Sequence, residues 1–553
     1  MSSSSLERFF TQTTPARLSV LAGVYAASLL LIMILGFYML FYALALLSFL
    51  FMVPLLKDTR LFGKMNRLQI PVFLLLLFLL GFGLRGMMLH QDEVITNDMT
   101  LMVERSENAI DGDIPYKDFP VNKPPLYLYL AYFVGATFGT GVWEFRLFFS
   151  IFDAMVPLAL FQLLRLKYER EHAAYAALLY AICPLNIIMI GFSGHYEPLV
   201  ILPVLGGFYY FFKERYEWAC FLLGIGFAFK LYPAVILPFF LVLMPGWKRR
   251  ILSGISFALP FLLSLVALAF LVEDGLAYYI DYQTGEWISI AIKSFALSFI
   301  LLLDSETLGG QRITELVMYL FLALIMVLFI SWLGRSSLKP GEEGEEEKRK
   351  KGRVGNGSGF QDWVVSAMAD KPLLLGLCTG FLPVDALFGI TAQISEKLNR
   401  LVLRLRSFEA GDIILVWYKI MVLTYALYYG LEVATTFKLF KVSWGIQHAN
   451  PVVYLVLIIF FSLVYLFLKR YWNDIFPKKE ELQLDPHQEL YYLSTFTIML
   501  LLFSSPDYCP WYLMWFLPMV FSMKNNRVKY FILWIIFWNF PGRDFNIMPG
   551  FGF

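Results

Sequence analysis

The chain has few charged residues. Only 16% of its 553 residues are Asp, Glu, Lys or Arg, whereas a soluble protein of ordinary composition carries about 25%. The formal net charge is +2, and no basic face indicates nucleic-acid binding. Hydrophobic residues make up 59% of the chain. This composition excludes an ordinary soluble protein and predicts an integral membrane protein.

The chain also lacks the short motifs of soluble enzymes. It contains no Walker loop, no GxGxxG, no HExxH and no GxSxG with partners, so nucleotide chemistry and soluble-type hydrolysis find no support. Its four cysteines show no CxxC or other metal-ligand spacing, so we expect them to be small buried residues.

Long apolar runs take the place of these motifs. A membrane-crossing helix needs about 20 apolar residues, and by that measure roughly 17 runs are candidates, some of them short. Because lipid offers the backbone no hydrogen-bond partner, each crossing run must be helical. The sequence therefore predicts an all-α polytopic membrane protein with about 13–17 spans. The runs lie near residues 18–35, 38–56, 69–86, 146–165, 173–191, 198–212, 216–229, 232–246, 251–272, 288–303, 313–333, 372–391, 411–430, 452–468, 489–505, 511–523 and 528–541.

The runs divide the chain into four predicted parts. Residues 1–56 form an N-terminal accessory hairpin, and residues 57–333 form a transmembrane core with a first outer loop at 87–145. A charged, low-complexity linker follows at 334–371, and a C-terminal transmembrane block occupies 372–553. The side of the membrane on which the linker lies stays open.

Basic residues in the short loops predict the orientation. Four of them lie between the second and third spans and place that loop in the cytoplasm, so the 87–145 loop emerges on the extracytoplasmic side. The apolar segment 124–140 would reverse the later parity if it crossed. We expect it to lie along the outer surface or to dip in and return. The four basic residues are Lys57, Arg60, Lys64 and Arg67.

The first outer loop is rich in acids, and a polar, acidic loop held against a bilayer indicates an enzyme site at the membrane surface. Three of its acids are candidate catalytic residues: Asp92, Glu93 and Asp98. A positioned carboxylate can take the proton of an attacking hydroxyl, which typically contributes about 10²–10⁴-fold in rate. The alternative is that these acids only solvate an exposed loop.

The order of residues after Asp98 resembles a known group of enzymes. Asp98 is followed by Gly112, by the hexapeptide IPYKDF at 114–119 and by KPPL at 123–126. This pattern is similar to the first outer loop of GT-C membrane glycosyltransferases, above all glycosylphosphatidylinositol mannosyltransferase I and related mannosyltransferases. The KPPL tetrapeptide resembles the aminoarabinose and protein O-mannosyl branch.

The resemblance implies a GT-C-like fold and transfer of a hexose from a polyprenyl- or dolichyl-phosphate donor. That family often carries Asp-x-Asp in this loop, whereas here Thr96-Asn97-Asp98 keeps only the second acid. Asp98 is therefore the first candidate base. The pair Asp92-Glu93 is the competing placement, where the KPPL-containing branch would put its acid.

Three further segments match the family pattern. Phe229-Lys230-Leu231-Tyr232-Pro233 matches an F/M-K-x-YP motif, which makes Lys230, with Tyr232 and Lys123, the candidate binding group for the donor phosphate. The alternative for Lys230 is simple snorkelling to the membrane surface.

Ser193-Gly194-His195-Tyr196-Glu197 resembles the family's Gly-x-x-acid segment, and residues 505–518 resemble its aromatic segment near the C-terminus. His195, Glu197, Tyr116 and Tyr512 are the candidate acceptor or sugar ligands. An interfacial histidine or aromatic belt is the plainer alternative. No cofactor is required by the sequence. A divalent cation, Mg²⁺ or Mn²⁺, is a candidate, with Asp98 and Glu197 as its ligands.

These observations predict a multi-pass glycosyltransferase of the plasma membrane or endoplasmic reticulum with an extracytoplasmic site. It would transfer a hexose, by resemblance mannose, to a hydroxyl of a lipid-linked or cell-surface glycan acceptor. One base and one leaving group predict inversion. The alternatives are a lipid or sugar transporter or flippase, which would favour charges within spans and an internal repeat, and a non-catalytic subunit that keeps the fold.

Overall fold

The computed structural model describes residues 15–35, 39–58, 69–90, 97–121, 123–230, 232–281, 414–416, 418–419, 422, 479–482, 484–503 and 510–539. These residues belong to one compact unit, formed by Met1–Glu315 and Ile414–Phe553. A second unit, Leu316–Ile413, lies outside the described residues. Within the described ranges the chain is helical and forms no strand, which confirms the all-α prediction.

Most of the described helices follow the apolar runs of the sequence. The N-terminal part contains α1 (Pro15–Leu35), α2 (Met39–Asp58), α3 (Gln69–Gly86), α4 (Asn97–Asp111), α5 (Pro125–Phe138), α6 (Val142–Leu164), α7 (Arg170–Ala181), α8 (Pro184–Asn186), a π-helix (Ile187–Phe192), α9 (Pro198–Phe212), α10 (Tyr216–Phe229), a 3₁₀ turn (Tyr232–Val235), α11 (Leu237–Leu243) and α12 (Trp247–Leu271). The C-terminal part contains 3₁₀ turns at Lys479–Leu482 and Pro510–Trp515, and α13 (Pro486–Phe503), α14 (Leu517–Ser522) and α15 (Asn526–Asn539).

Among the residues that the structure describes, five helical segments are long and apolar enough to cross a membrane, and they confirm a multi-pass membrane protein. They are Arg17–Leu35, Gln69–Gly86, Val142–Leu164, Arg170–Phe192 and Trp247–Leu271. Several of them present bare apolar side chains, among them Leu76 at 59% and Phe270 at 86% exposure. Such surfaces are unfavourable in water but suit contact with lipid.

Some predicted spans form helices that are too short to cross alone. Residues 198–212 and 216–229 are helical over their predicted ranges, yet a crossing helix needs about 20 residues. They form an antiparallel pair joined by a tight turn in which Glu214 adopts a left-handed conformation (φ 58°). The apolar segment 124–140 contains the 14-residue helix α5. The runs near 288–303, 313–333, 372–391 and 452–468, and most of 411–430, lie outside the described residues.

The segment Arg170–Phe192 is the central element of the core. It is almost wholly buried, and the first two helices pack on it directly. The Tyr25 hydroxyl donates to the Ile182 carbonyl at 2.5 Å, and the Tyr175 hydroxyl donates to the Val53 carbonyl at 2.5 Å.

The C-terminal helices also join this core. The Tyr168 hydroxyl donates to Asp485 at 3.1 Å, and the Gln488 amide donates to the Ser522 carbonyl at 3.0 Å. Phe521 packs edge-on against Phe49 with a centroid distance of 6.3 Å. Residues separated by more than 300 positions therefore share one packed interior.

A close helix contact yields a stability prediction. A Cβ at Gly224 in α10 would lie 2.1 Å from the Phe257 carbonyl oxygen of α12, whereas one at Gly254 in α12 would meet nothing within 4 Å. We expect Gly224→Ala to force the helices apart and to lower the free energy of unfolding by about 1–3 kcal/mol. The control Gly254→Ala should be neutral or stabilising by up to about 1 kcal/mol. Melting temperatures in detergent would check this, and equal melting temperatures would contradict the tight packing.

Candidate active site

The site begins at a turn that follows the π-helix. Single π-helical turns are rare and often occur at functional sites. Here the Gly194 and His195 amides donate back to the Ile190 and Met189 carbonyls at 3.1 and 3.0 Å. Gly194 has φ +73°, a conformation that favours glycine. The turn ends at Glu197, directly before α9 begins at Pro198.

Glu197 forms a buried ion pair with Lys230. Lys230 follows the last residue of α10 in an extended conformation, and its ammonium contacts Glu197 Oε1. The Trp515 indole donates to the other carboxylate oxygen, Oε2, at 2.9 Å. The Glu197 side chain is fully buried and does not cap its own helix. Both of its oxygens therefore have a partner, which offsets the cost of removing the charge from water.

Aromatic rings surround the Lys230 ammonium. Its nitrogen lies 4.8 Å from the ring centroid of Tyr196, 5.0 Å from that of Tyr512 and 5.2 Å from that of Trp515. Tyr232 stacks on Trp515 with a centroid distance of 4.1 Å and an interplanar angle of 8°. Cation–π contacts contribute about 2 kcal/mol or more when they are desolvated. Together with Glu197, the rings fix the position of this cation.

Asp98 approaches the same turn from α4. It lies in the first turn of that helix, and the adjacent Met99 packs so closely on Gly194 that a Cβ there would lie 2.2 Å from the Met99 methyl group. Burial opposes ionisation of Asp98, but the charges of Lys123 and then of His195, Lys230 and Arg105 lower its pKa below the ordinary value. Asp98 is thus ionised at neutral pH.

Lys123 is the main counter-charge of Asp98. Burial lowers the pKa of Lys123, while Asp98 acts to raise it. The backbone around Lys123 is held by Tyr116, whose hydroxyl donates to the Lys123 carbonyl at 3.2 Å. Tyr116 itself lies in a left-handed conformation (φ 67°) and packs edge-on against Tyr279 at 5.1 Å. This is an uncommon backbone state for a bulky residue.

His195 is uncharged in this environment. Burial lowers its pKa to about 3; Asp98 acts against this, and Lys230 and Lys123 act with it. Arg105, Lys123 and Lys230 gather around Asp98 and Glu197 in this cluster. A concentration of basic side chains at a buried site suits an anionic ligand.

The described side chains do not fit a metal site at this cluster. In that part of the chain, no group of three or more His, Cys, Asp or Glu residues is arranged to hold a metal ion. Both oxygens of Glu197 are already engaged by Lys230 and Trp515, and Asp98 faces Lys123. We therefore derive no step of the chemistry through a metal.

The core of this site lies within a segment that matches a known family. Residues 122–273 match the family model described as dolichyl-phosphate-mannose-protein mannosyltransferase. The matched segment is well under half of the chain, and it includes Lys123, His195, Glu197 and Lys230 but not Asp98. Comparison with curated proteins and with solved structures gives no match. The match supports the resemblance to GT-C glycosyltransferases and does not distinguish its branches.

The structure brings most of the predicted site residues together. Asp98, Lys123, His195, Glu197 and Lys230 interact by charge or direct contact. Tyr512 and Tyr232 border the cluster through Trp515, and Tyr116 reaches it through Lys123. Asp92 and Glu93 lie outside the described residues, so their candidacy stays a prediction.

Two features of the site were missed from the sequence. The first is the pairing of Glu197 with Lys230, which lie 33 positions apart, one directly before α9 and the other directly after α10. The second is the role of Trp515 and Tyr196 as neighbours of the lysine. An aromatic residue next to a motif acid was visible at Tyr196, but only the three-dimensional structure shows which cation it contacts.

The charge balance predicts how Asp98 titrates. Its lowered pKa means that its ionised form stabilises the protein above the pKa of the unfolded chain, near 4, and that this stability is lost as pH falls through the folded pKa. Lys123→Met removes the main cation near Asp98 but keeps Asp98 buried. The pKa of Asp98 in the folded protein should therefore rise, and the loss of stability should begin at a higher pH. The melting-temperature difference between each background and its Asp98→Asn derivative, measured against pH, reports this.

The control for this experiment is Lys117→Met, because Lys117 is an exposed cation in the same loop. Its substitution should leave the pH dependence as in the unmodified protein. Identical pH profiles for Lys123→Met and Lys117→Met would contradict the pairing of Lys123 with Asp98.

Proposed function

We propose that the protein is a membrane glycosyltransferase that transfers a hexose, most simply mannose, from a polyprenyl-phosphate donor. The acceptor is a hydroxyl of a lipid-linked or cell-surface glycan on the extracytoplasmic side. The observation that carries the proposal is the convergence of an ionised carboxylate and two fixed lysines within and beside the segment that matches the mannosyltransferase family.

In the proposed reaction, an acceptor oxygen attacks the anomeric carbon of the donor sugar. The bond between that carbon and the phosphate oxygen breaks, and the electron pair leaves with the lipid phosphate. The acceptor proton passes to the Asp98 carboxylate. A single displacement of this kind inverts the anomeric centre and needs no covalent sugar–enzyme intermediate.

The lysines supply the electrostatic part of this proposal. The leaving phosphate gains negative charge as the bond breaks, and fixed cations stabilise such charge more strongly in the transition state than in the ground state. The Lys230 ammonium is already held by Glu197 and three rings, so little reorganisation is needed when the donor arrives. Lys123, beside Asp98, is the second proposed contact to the phosphate.

The remaining predicted residues have supporting roles in this proposal. Neutral His195 and the aromatic rings of Tyr116 and Tyr512 are proposed to border the sugar or the acceptor. Glu197 is proposed to orient Lys230, because both of its oxygens are occupied within the protein. Asp92 and Glu93 remain candidates for the base if Asp98 proves dispensable.

Transfer from a radiolabelled polyprenyl-phosphate mannose to a mixture of glycolipid acceptors would test the function, with the purified protein in lipid. We expect Asp98→Asn to lose about 10²–10⁴-fold in transfer rate while it retains donor binding. The matched control is Glu104→Gln, which alters an exposed acid of the same helix and should transfer at the unmodified rate.

The other outcomes separate the alternatives. Full activity of Asp98→Asn would reject Asp98 as the base and move the role to Asp92 or Glu93. Donor binding by the unmodified protein without transfer to any acceptor would favour a non-catalytic subunit. Failure to bind any polyprenyl-phosphate sugar would reject the glycosyltransferase and favour a transporter or flippase.

A further inference from the structure

A second buried ion pair lies away from the candidate site, inside the membrane-spanning bundle. Arg85, at the end of α3, pairs through Nε with Asp153 of α6, and both side chains have 0% exposure. Arg85 Nη1 also donates to the Gly81 carbonyl at 2.9 Å and to the Ala181 carbonyl at 2.8 Å. The Tyr180 hydroxyl donates to the other Asp153 oxygen at 2.8 Å. One arginine therefore joins α3, α6 and α7.

Burying such a pair between helices costs free energy, because both charges lose their hydration. Charged residues within spans are rare and usually functional, and well-packed apolar residues often replace a buried pair without loss of stability. Compared with apolar packing, the pair constrains the relative orientation of the helices more strictly, because a guanidinium fixes the direction of several hydrogen bonds at once. The position of Arg85 shows which segments of the chain are oriented in this way.

The Arg85 main chain touches the π-helix that leads to the candidate site. A Cβ at Gly191 would lie 2.6 Å from the Arg85 carbonyl oxygen and 3.0 Å from its Cα. Gly191 is the fifth residue of the π-helix, and the turn that ends at Glu197 follows directly. Because Gly191 has no side chain, the end of α3 can pack directly against the backbone of the π-helix. That backbone determines the direction in which the turn to Glu197 begins.

The same end of α3 leads into the segment that carries the predicted base. The chain runs from Arg85 through the turn at 87–90, and Asp98 lies 13 positions after Arg85 at the start of α4. The Arg85 main chain therefore contacts the backbone that leads to Glu197, and Arg85 precedes Asp98 by 13 positions in sequence. The Met99 side chain packs on Gly194, so the segment that begins at Asp98 contacts the turn that leads to Glu197.

We propose that Arg85 is a positioning residue, which, with Asp153 and the Gly191 contact, sets the placement of Asp98 relative to the Glu197–Lys230 pair. The proposal rests on the proposed function, since its readout is sugar transfer. Displacement of reacting groups by about 1 Å costs on the order of 10²-fold in rate. The positioning role therefore predicts a loss in kcat for folded protein, with little change in the KM of the donor.

Gly191→Ala is the sharpest test, because it adds one methyl group against the Arg85 backbone and changes no polar group. Its control is Gly86→Ala, next to Arg85 in sequence, where a Cβ meets nothing within 4 Å. We expect Gly191→Ala to lower kcat on the order of 10²-fold with a donor KM within about threefold, and Gly86→Ala to match the unmodified enzyme. Rates are to be divided by the amount of folded protein.

A second variant guards against misfolding of the first. Arg85→Met combined with Asp153→Leu removes both charges and leaves apolar packing. The proposal predicts that this protein folds and shows the same loss in kcat. Full kcat per folded protein in both variants would overturn the positioning role and leave the pair a structural one. If the unmodified protein itself transfers no sugar, the proposed function fails, which is distinct from either variant result.

Discussion

The structure depends on one buried ion pair, that between Glu197 and Lys230. Neither charge can be left alone in an apolar interior, so each must find partners wherever the chain can supply them. The indole of Trp515 donates to Glu197, and the ring faces of Tyr196 and Tyr512 contact Lys230. As a result, segments near residues 195, 230 and 515 have to converge on one point. The candidate active site is built where they do.

This constraint explains the irregular helices around the site. Helices α9 and α10 stop short of a full span, and the chain between Tyr232 and Leu243 breaks into a 3₁₀ turn and a short helix. Non-helical backbone is tolerated within membrane proteins only where it is buried or lines a cavity. Here it surrounds the charged cluster. Several of the long, regular helices present apolar side chains such as Leu76 and Phe270 to their surroundings.

Much of the fold was predictable because membrane insertion leaves a strong signal in a single sequence. The ranges 69–86, 198–212 and 216–229 are helical over their predicted ranges. Helix α4 was harder to foresee, because its acids suggested an open loop and its apolar positions form only one narrow face. The gathering of Asp98, Lys123 and Lys230 was suggested by motif order, but the partner of each charge was not. Partner choice depends on the packing of distant helices, which no local pattern encodes.

The distance along the chain between Glu197 and Trp515 has a consequence for biosynthesis. The ribosome completes Trp515 318 positions after Glu197, which at about 5–20 residues per second corresponds to roughly 15–60 s. During most of that interval Glu197 and Lys230 have both been synthesised, but the indole donor and the Tyr512 ring have not. The nascent protein thus passes through a stage in which the Glu197–Lys230 pair lacks its Trp515 and Tyr512 partners. The ion pair gains all of its partners only when the C-terminal segment has been synthesised.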